Sequence, residues 1–404
     1  MCVTVGCLAA SCICRSCIAA PNRMVARYIY GIFFLLCNLL AWMARDYGSS
    51  SKNLNRALVH YFKSCRGGFE CLGSDGVLRL SFGCFIFFLL MYLTTVGTSS
   101  TNDIRDAWHA GWWPIKSLLW VALMVVPFLI PSSFIQYYGE IARFGAGIFL
   151  MIQLLSVINF IYFWNEDWLS ERNEHCCRMP MVITSILSYV VSLFANVVMY
   201  IWFAPYFSCK LNIFFITWTL VLILLMTTIS LHSKVNAGLL TSGIMTVYVV
   251  FLCWSAIMSE PGSAVCNTQP RQTGKGDWLT IVEFAVGFCA IVLATFTTGT
   301  DSKSFSITRK DWSEMHSNVP YSYGFFHFVF AMGAMYFAML FVGWRPHQTM
   351  HKWSLDVGWT SVWVKVVNEW IAAAVYVWTM IAPLVLKNRD FSNDGCLEED
   401  GILH

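Results

Sequence analysis

Charged and amide side chains that interrupt apolar stretches are the residues of this chain that could do chemistry. Glu140 and Arg143 are three residues apart, so they share one face of a helix and can form an ion pair. The pair is either an interfacial salt bridge or a polar anchor for a charged ligand. Because an ionisable group at membrane depth is costly, each such residue is treated as a candidate site.

A second group of polar residues lies further along the same stretch. Ser156, Asn159 and Glu166 fall on one side of a helix. Glu166 and Asp167 are adjacent carboxylates that can meet an ammonium group, or equally cap a neighbouring helix or bind a loop arginine. Both interpretations stay open at this point.

Other ionisable residues are scattered over later apolar segments. Glu283 is alone among apolar neighbours and needs a partner or a raised pKa. Lys365 and Glu369 are four residues apart and can pair; alternatively, Lys365 extends to the interface and leaves Glu369 available. His327 lies inside an apolar segment, where a core histidine is a better interpretation than a catalytic one.

Lys116 lies early in an apolar segment that is rich in tryptophan. We expect its long side chain to snorkel to the membrane surface, where phosphate groups are its natural partners. Phosphate-loop and nucleophile-elbow motifs are missing, which argues against an enzyme. The chain is expected to need neither a metal nor a cofactor.

Composition identifies the elements that must position these residues. Of 404 residues, 57% are hydrophobic and 12% are charged, against about 25% charged in a soluble domain. This is typical of an all-α, polytopic membrane protein. A net charge of +3 without a basic run gives no reason to expect nucleic acid as a partner.

Ten apolar segments, most of them near the roughly 20 residues that a span requires, are predicted to be transmembrane helices. We divide the chain into a Cys-rich interfacial segment (1–26), a transmembrane domain (27–388) and a short cytosolic tail (389–404). The segments lie at 28–44, 79–98, 112–130, 134–166, 181–203, 211–231, 237–258, 278–298, 321–343 and 361–386.

The fourth segment is unusually long. The stretch from Ser133 to Arg172, bracketed by Pro131 and Pro180, could form a helix of roughly 60 Å, twice the thickness of a hydrocarbon core of about 30 Å. Such a helix must tilt strongly, protrude into water or break. We expect one continuous oblique helix from about 134 to beyond 165, and a loop over 167–179.

Cysteines suggest the orientation, because lysine and arginine divide equally between the two sides. With the N-terminus inside, Cys65, Cys71, Cys209 and Cys266 lie on the outer side, which is oxidising in the secretory pathway. We predict the pairs Cys65–Cys71 and Cys209–Cys266, although spacing alone does not fix the pairing. Near the N-terminus, a further cluster is interpreted first as plain interfacial packing, then as a set of acylation candidates, and last as a metal site. It contains Cys12, Cys14 and Cys17.

Five blocks in the right order resemble the serine incorporator (SERINC/TMS) family, and the short loops suggest a plant member. The blocks read CRSCIAAPNRMVARYIY, VINFIYFWNEDWLSE, GLLTSGIMTVYVVFLCWSAIMSEP, YSYGFFHFVFAMGAMYFAMLFVGW and WTSVWVKVVNEWIAAAVYVWTMIAPLVLKNRDF. The resemblance implies ten spans, both termini cytosolic, and two bundles separated by a long diagonal fourth helix. It also implies serine incorporation into phosphatidylserine and sphingolipids, with lipid binding and scrambling.

Three functions are compared on this basis. The first is a lipid-binding protein or scramblase, whose groove beside the long helix would be lined by polar residues. The second is a secondary transporter of serine, and the third is a scaffold for lipid-synthesis enzymes. Expected partners are phospholipids and sphingolipids of the endomembrane system or plasma membrane; a homo-oligomer is left open. The groove candidates are Glu140, Arg143, Ser156, Asn159, Glu166, Glu283 and Glu369, with Lys116 and Lys365 as headgroup contacts.

Overall fold

The computed structural model describes residues 23–47, 73–169, 174–232, 235, 238–261, 266, 278–300, 319–344 and 356–385. Regular secondary structure within these residues is entirely helical, so the predicted all-α class is confirmed for them. A short 3-10 helix, Val126–Leu129, precedes the longest helix. The α-helices are α1 (Arg23–Tyr47), α2 (Ser74–Thr95), α3 (Ile104–Ala110), α4 (Trp113–Val125), α5 (Ser132–Leu169), α6 (Glu174–Phe203), α7 (Lys210–Leu231), α8 (Leu239–Met258), α9 (Trp278–Thr300), α10 (Tyr323–Val342) and α11 (Trp359–Val385).

Each of the ten predicted apolar segments coincides with a helix. By length and composition, eight helices of the described residues can cross a membrane, and the bent pair of α3 and α4 adds a ninth if it forms one span. Within α9, the segment Ala285–Gly299 is apolar but shorter than these spans. A total of ten spans therefore stays a prediction.

Helix α5 is continuous over 38 residues, so the prediction of one long helix without a break at Gly145 or Gly147 is confirmed. At 1.5 Å per residue it is about 57 Å long. The predicted loop over 167–179 is wrong, because α5 ends at Leu169 and α6 already begins at Glu174. Pro180 lies inside α6. A proline removes only one backbone hydrogen bond, which a helix among other helices tolerates.

The chain divides into two compact units, and α5 contributes to both. The first unit contains the described residues up to Phe160 together with those of 258–264 and 269–364; the second contains 161–257, 265–268 and the described residues after Val364. The expected arrangement of two bundles beside a diagonal helix stays a prediction.

Helix α10 is the centre of the first unit. It is apolar all round, and nearly every one of its residues is buried. It packs most extensively against α2, where the Ser81 hydroxyl donates to the Ala334 carbonyl at 2.9 Å. Tyr138 of α5 joins this contact through a 2.8 Å hydrogen bond between its hydroxyl and that of Ser81.

The second unit is held together by hydroxyl side chains between helices. Ser192 of α6 and Thr246 of α8 are hydrogen-bonded at 3.2 Å. Gly243 lets α6 approach closely, because a Cβ there would lie 3.3–3.4 Å from Ser185 and Ser188. Such small-residue contacts are the usual way in which membrane helices associate.

Candidate functional site

Glu140 and Arg143 form an ion pair on the exposed face of α5. Their side chains are 53% and 39% exposed, and the Arg143 guanidinium contacts the Glu140 carboxylate at 2.5 Å. Exposed apolar side chains follow one another at helical spacing along one stripe of the same helix, which runs beside the pair. This stripe consists of Phe134, Tyr137, Ile141, Phe144, Ile148 and Met151. The helix segment 132–165 is a candidate span, so the pair lies on a face suited to lipid.

The remaining α5 candidates differ in position. Ser156 is buried, whereas Asn159 is half-buried and has an interaction of its own. The side chain of Glu166 lies outside the described residues. The structure therefore puts two of the three predicted polar residues on the covered or partly covered side of the helix.

In the second unit, Glu369 is a buried carboxylate of α11. It is 1% exposed, and the Thr219 hydroxyl of α7 donates to its Oε1 atom at 2.7 Å. The Lys365 ammonium donates to the Ser255 carbonyl at 3.3 Å. The predicted pair Lys365–Glu369 is thus given other partners by tertiary packing. Glu283 belongs to α9, but its side chain lies outside the described residues.

Lys116 does not snorkel, so the prediction that it reaches headgroups is wrong for this structure. Its side chain is fully buried, and its ammonium donates to the carbonyl oxygens of Trp108 and of His109, the latter at 2.9 Å. The ammonium also lies over the rings of Tyr30, Trp108 and Trp113, at 5.3, 5.0 and 4.6 Å from the ring centroids. Carbonyls and aromatic faces replace the water that the ammonium would otherwise need.

A buried histidine cluster in the first unit was missed by sequence reasoning. Nδ1 of His109 and Nε2 of His327 are 3.1 Å apart, and Nε2 of His109 is 3.0 Å from the Tyr321 hydroxyl. The Tyr323 ring stacks on His109 with centroids 3.9 Å apart. The prediction of His327 as a core histidine agrees with its burial. The 218-residue separation of the two histidines explains why the pair is invisible in the sequence.

Asp106 and the hydroxyl of Tyr323 also belong to this cluster. The Tyr323 hydroxyl donates to Oδ1 of Asp106 at 2.8 Å, which fixes α3 to the start of α10. Burial raises the pKa of Tyr321, which lies just before α10, and nearby Asp106 adds to the rise while Arg27 opposes it. Its hydroxyl therefore keeps its proton and is able to donate to His109.

Arg79 of α2 is a second buried cation that the sequence analysis did not single out. Its guanidinium binds Oδ2 of Asp75 at 2.7 Å and the carbonyls of Pro127 and Ile130 at 2.6 and 2.7 Å. It also donates to the Ser132 hydroxyl at 2.9 Å. These bonds anchor the 3-10 helix and the first residue of α5, so Arg79 determines where the long helix begins.

One of the two predicted disulfides is present. Cys209 and Cys266 are bonded, with Cα atoms 5.6 Å apart, so this pairing is confirmed. The other predicted pair and the acylation candidates lie outside the described residues. They are Cys65, Cys71, Cys12, Cys14 and Cys17.

Comparison with known proteins gives the family. The serine incorporator (Serinc) family model matches residues 1–315 and 303–389, which is most of the chain. The protein belongs to the serine incorporator family. A probable serine incorporator of Dictyostelium discoideum is 31% identical over 399 residues, covering 90% of this chain and 94% of that protein. One of Nematostella vectensis is 28% identical, covering 92% of each chain.

A fungal relative extends the comparison. The membrane protein TMS1 of Saccharomyces cerevisiae is 25% identical over 451 residues and covers 92% of each chain. Together with the apolar helices, the family shows that this is an integral membrane protein.

Proposed function

We propose that this serine incorporator binds phospholipids and scrambles them between the leaflets of a bilayer. In doing so it supports the incorporation of serine into phosphatidylserine and sphingolipids. The observation that carries the proposal is the exposed Glu140–Arg143 ion pair beside the apolar stripe of α5. Charged groups on a face suited to lipid need a reason, because they are costly at membrane depth.

The pair has the two charges that a zwitterionic headgroup requires. The Arg143 guanidinium matches the planar, bidentate geometry of a phosphate group, and the Glu140 carboxylate matches an ammonium. A headgroup offers each of the two charges a partner of opposite sign, so exchange of the internal partners for a headgroup leaves no unpaired charge at membrane depth, which suits a lipid that must bind and leave.

Scrambling by this route needs no energy source. The chain has no phosphate-binding loop, so we propose that lipids move down their gradient without ATP. The polar residues further along α5, Ser156, Asn159 and Glu166, would continue the path beyond the ion pair. A serine transporter and a scaffold for lipid-synthesis enzymes are the alternatives, and neither has a comparable observation in its favour.

The experiment is a lipid-flip assay in liposomes that contain the purified protein and a fluorescently labelled phospholipid. An external membrane-impermeant quencher should bleach nearly all the label with protein and about half without it. With the double variant Glu140→Gln, Arg143→Gln, we expect the inner-leaflet label to reach the quencher more slowly, because both side-chain charges that would bind a headgroup are lost. Equal rates for protein-containing and empty liposomes, at confirmed reconstitution, would exclude scrambling.

A matched control uses an ion pair outside the long helix. Arg105 and Asp103, at the start of α3, form an exposed pair with a 2.7 Å contact. Arg105→Gln removes the same kind of interaction but leaves the Asp103 cap of α3 in place. It should scramble at the wild-type rate. A reduction as large as that in the α5 variant would show that surface charge in general, rather than α5, is responsible.

We also propose that both termini are cytosolic. The Cys209–Cys266 disulfide supports this orientation, since disulfides persist in oxidising compartments and both cysteines lie on the outer side of an N-in topology. An epitope tag at residue 1 or 404 that antibodies reach on intact cells would contradict it.

A further inference from the structure

The hydrogen bonds of the histidine cluster leave one ring nitrogen unused. A neutral imidazole has one nitrogen that donates and one that accepts. His109 uses both nitrogens, towards Tyr321 and His327, and His327 uses Nε2. Nδ1 of His327 is buried and has no hydrogen-bond partner within the part of the chain that the structure describes. A buried polar atom without a partner is unfavourable and calls for an explanation.

Two arrangements of protons satisfy the hydrogen bonds that connect Tyr321, His109 and His327. In one, Tyr321 donates to His109 and His109 donates to His327, so His327 carries its proton on Nδ1. In the other, His327 donates to His109 and His109 donates to Tyr321, so Nδ1 has a free lone pair. Interconversion needs more than proton shifts along these bonds of 3.0 and 3.1 Å, because a proton must also leave Nδ1 of His327 and another must return to the Tyr321 hydroxyl. Either way the series of hydrogen-bonded side chains ends at Nδ1 of His327.

We propose that Tyr321, His109 and His327 form a proton-binding site, and that uptake of one proton by the histidine pair releases α3 and α4 from α10. This inference is independent of lipid scrambling. The ligand is a proton, and Nδ1 of His327, the last atom of this series of hydrogen-bonded side chains, is the atom that accepts it.

The surrounding charges oppose an additional positive charge. Lys116 of α4 holds the carbonyl of His109 itself, so the protonated pair and the ammonium share one buried site. Asp106 of α3 is the nearby carboxylate, and it is already engaged by Tyr323. From α1, Tyr30 donates to the same His109 carbonyl, and Arg27 lies within electrostatic range of Tyr321.

The other helices packed against α10 present uncharged groups to this region. Helix α2 contributes the ring of Phe88, whose centroid is 6.1 Å from that of His327. Helix α9 approaches through Gly299 and Thr295, which face Phe326 and Gly333. Two cations in a site of low polarity repel more strongly than they would in water. Separation of the elements that carry them is the direct way to relieve this repulsion.

The fold offers a hinge for that separation. Helices α3 and α4 meet at a 67° bend, and Trp112 at the bend has a left-handed φ of 60°. Helix α3 has only seven residues and is attached to α10 mainly through the histidine cluster and the Asp106–Tyr323 bond. Protonation of the pair therefore acts on the contact of this short helix with α10, while the hydrogen bonds from Arg105 to Val96 and from Trp108 to Thr94 keep it attached beside α2.

The test is hydrogen exchange, measured by mass spectrometry, on the full protein in phosphatidylcholine nanodiscs. Exchange of peptides from 104–125 is compared at about pH 8 and about pH 5 after correction for the intrinsic pH dependence. We expect at least about tenfold faster corrected exchange at the lower pH for the wild type, the factor that corresponds to one pH unit of differential proton binding. No acid-induced change in the wild-type peptides would overturn the proposal.

Three variants separate proton binding from a merely structural role. His327→Gln removes the accepting nitrogen, and combining it with His109→Gln leaves no imidazole in the cluster, so the single and the double variant should each show less than about a twofold change between the two pH values. His232→Gln, at an exposed position in the second unit, should respond like the wild type. Wild-type acid response in both cluster variants would overturn the proposal. If one of them fails to fold, the other decides.

A fourth variant tests the electrostatic argument. Lys116→Met removes the opposing ammonium and should therefore weaken the acid-induced rise in exchange, because the packed state then tolerates the added proton. A site that is only structural would lose stability at every pH and keep the same ratio between the two pH values. An acid response as large as that of the wild type would contradict the role assigned to Lys116.

Discussion

Gly83→Ala tests the close approach between α2 and α4. A Cβ at Gly83 would overlap the carbonyl oxygen of Leu123 and lie 2.9 Å from its carbonyl carbon. Two carbon atoms in contact prefer at least about 3.5 Å, so the helices must separate by about 0.6 Å or more. Because the opposing atoms belong to the backbone, a change of rotamer cannot relieve the overlap.

The expected free-energy change follows from two opposing terms. Overpacking in a close-packed core costs about 1–3 kcal/mol, and occasionally more. Replacement of glycine by alanine inside a helix returns up to about 1 kcal/mol. Gly83→Ala should therefore lower the free energy of unfolding by about 1–2 kcal/mol. Gly147 on α5 provides the matched control, since a Cβ there meets nothing within 4 Å.

The assay is thermal unfolding in one detergent, followed by fluorescence-detected size exclusion. We expect Gly147→Ala to melt at or slightly above the wild-type temperature and Gly83→Ala to melt clearly below it. Gly145→Ala should also melt below the wild type, because its Cβ would overlap Sδ of Met335. Adding Met335→Ala should relieve that overlap. If Gly83→Ala melts like Gly147→Ala, the close approach of α2 and α4 is not as described.

Three further predictions concern the buried Arg79, the disulfide and the polar residues of α5. Arg79→Met should lower the free energy of unfolding by about 3–5 kcal/mol, because it leaves a partly buried carboxylate and two carbonyls without their cation. Its control, Arg105→Gln, breaks an exposed ion pair and should lower the free energy of unfolding by at most about 1 kcal/mol in the same melting assay. Cys209→Ser should lower the free energy of unfolding by up to about 4 kcal/mol, which is the value of the chain-entropy model for a 57-residue separation. Cys266→Ser should have the same effect. A melting temperature equal to that of the wild type would show that the disulfide adds no stability. Asn159→Leu combined with Glu166→Leu should slow lipid scrambling without unfolding the protein, and an unchanged flip rate would remove these residues from the path.

The elements that sequence patterns predict well are those set by local composition. Each apolar segment became a helix, and α5 runs unbroken because no proline interrupts residues 132–169. The boundary between α5 and α6 differs from the prediction, because a proline inside a membrane helix is tolerated and Pro180 therefore does not limit α6. Helix α3 was also missed, since seven residues are too few for a spanning pattern.

The histidine cluster could not be predicted because its contacts depend on packing between distant segments. His109 lies outside the ten apolar segments, and its partners Tyr321 and His327 follow more than 200 residues later. A hint was present in the sequence: His327 is a polar residue within a helix that is otherwise apolar on all sides. A buried polar side chain needs a partner, so the search for a second polar group was justified even though spacing could not locate it.

The two classes of charge in this protein clarify why α5 is the better candidate for contact with lipid. Arg79 and Lys116 are buried, and backbone carbonyls satisfy them, so they act inside the first unit. Within the described part of the chain, Glu140 and Arg143 form an ion pair with each other, and both side chains are exposed beside the apolar stripe of α5. A charge that serves the fold is covered by the protein, whereas a charge that serves a mobile ligand must stay reachable. The prediction for Lys116 failed because it treated all cations near the membrane surface as belonging to the second class.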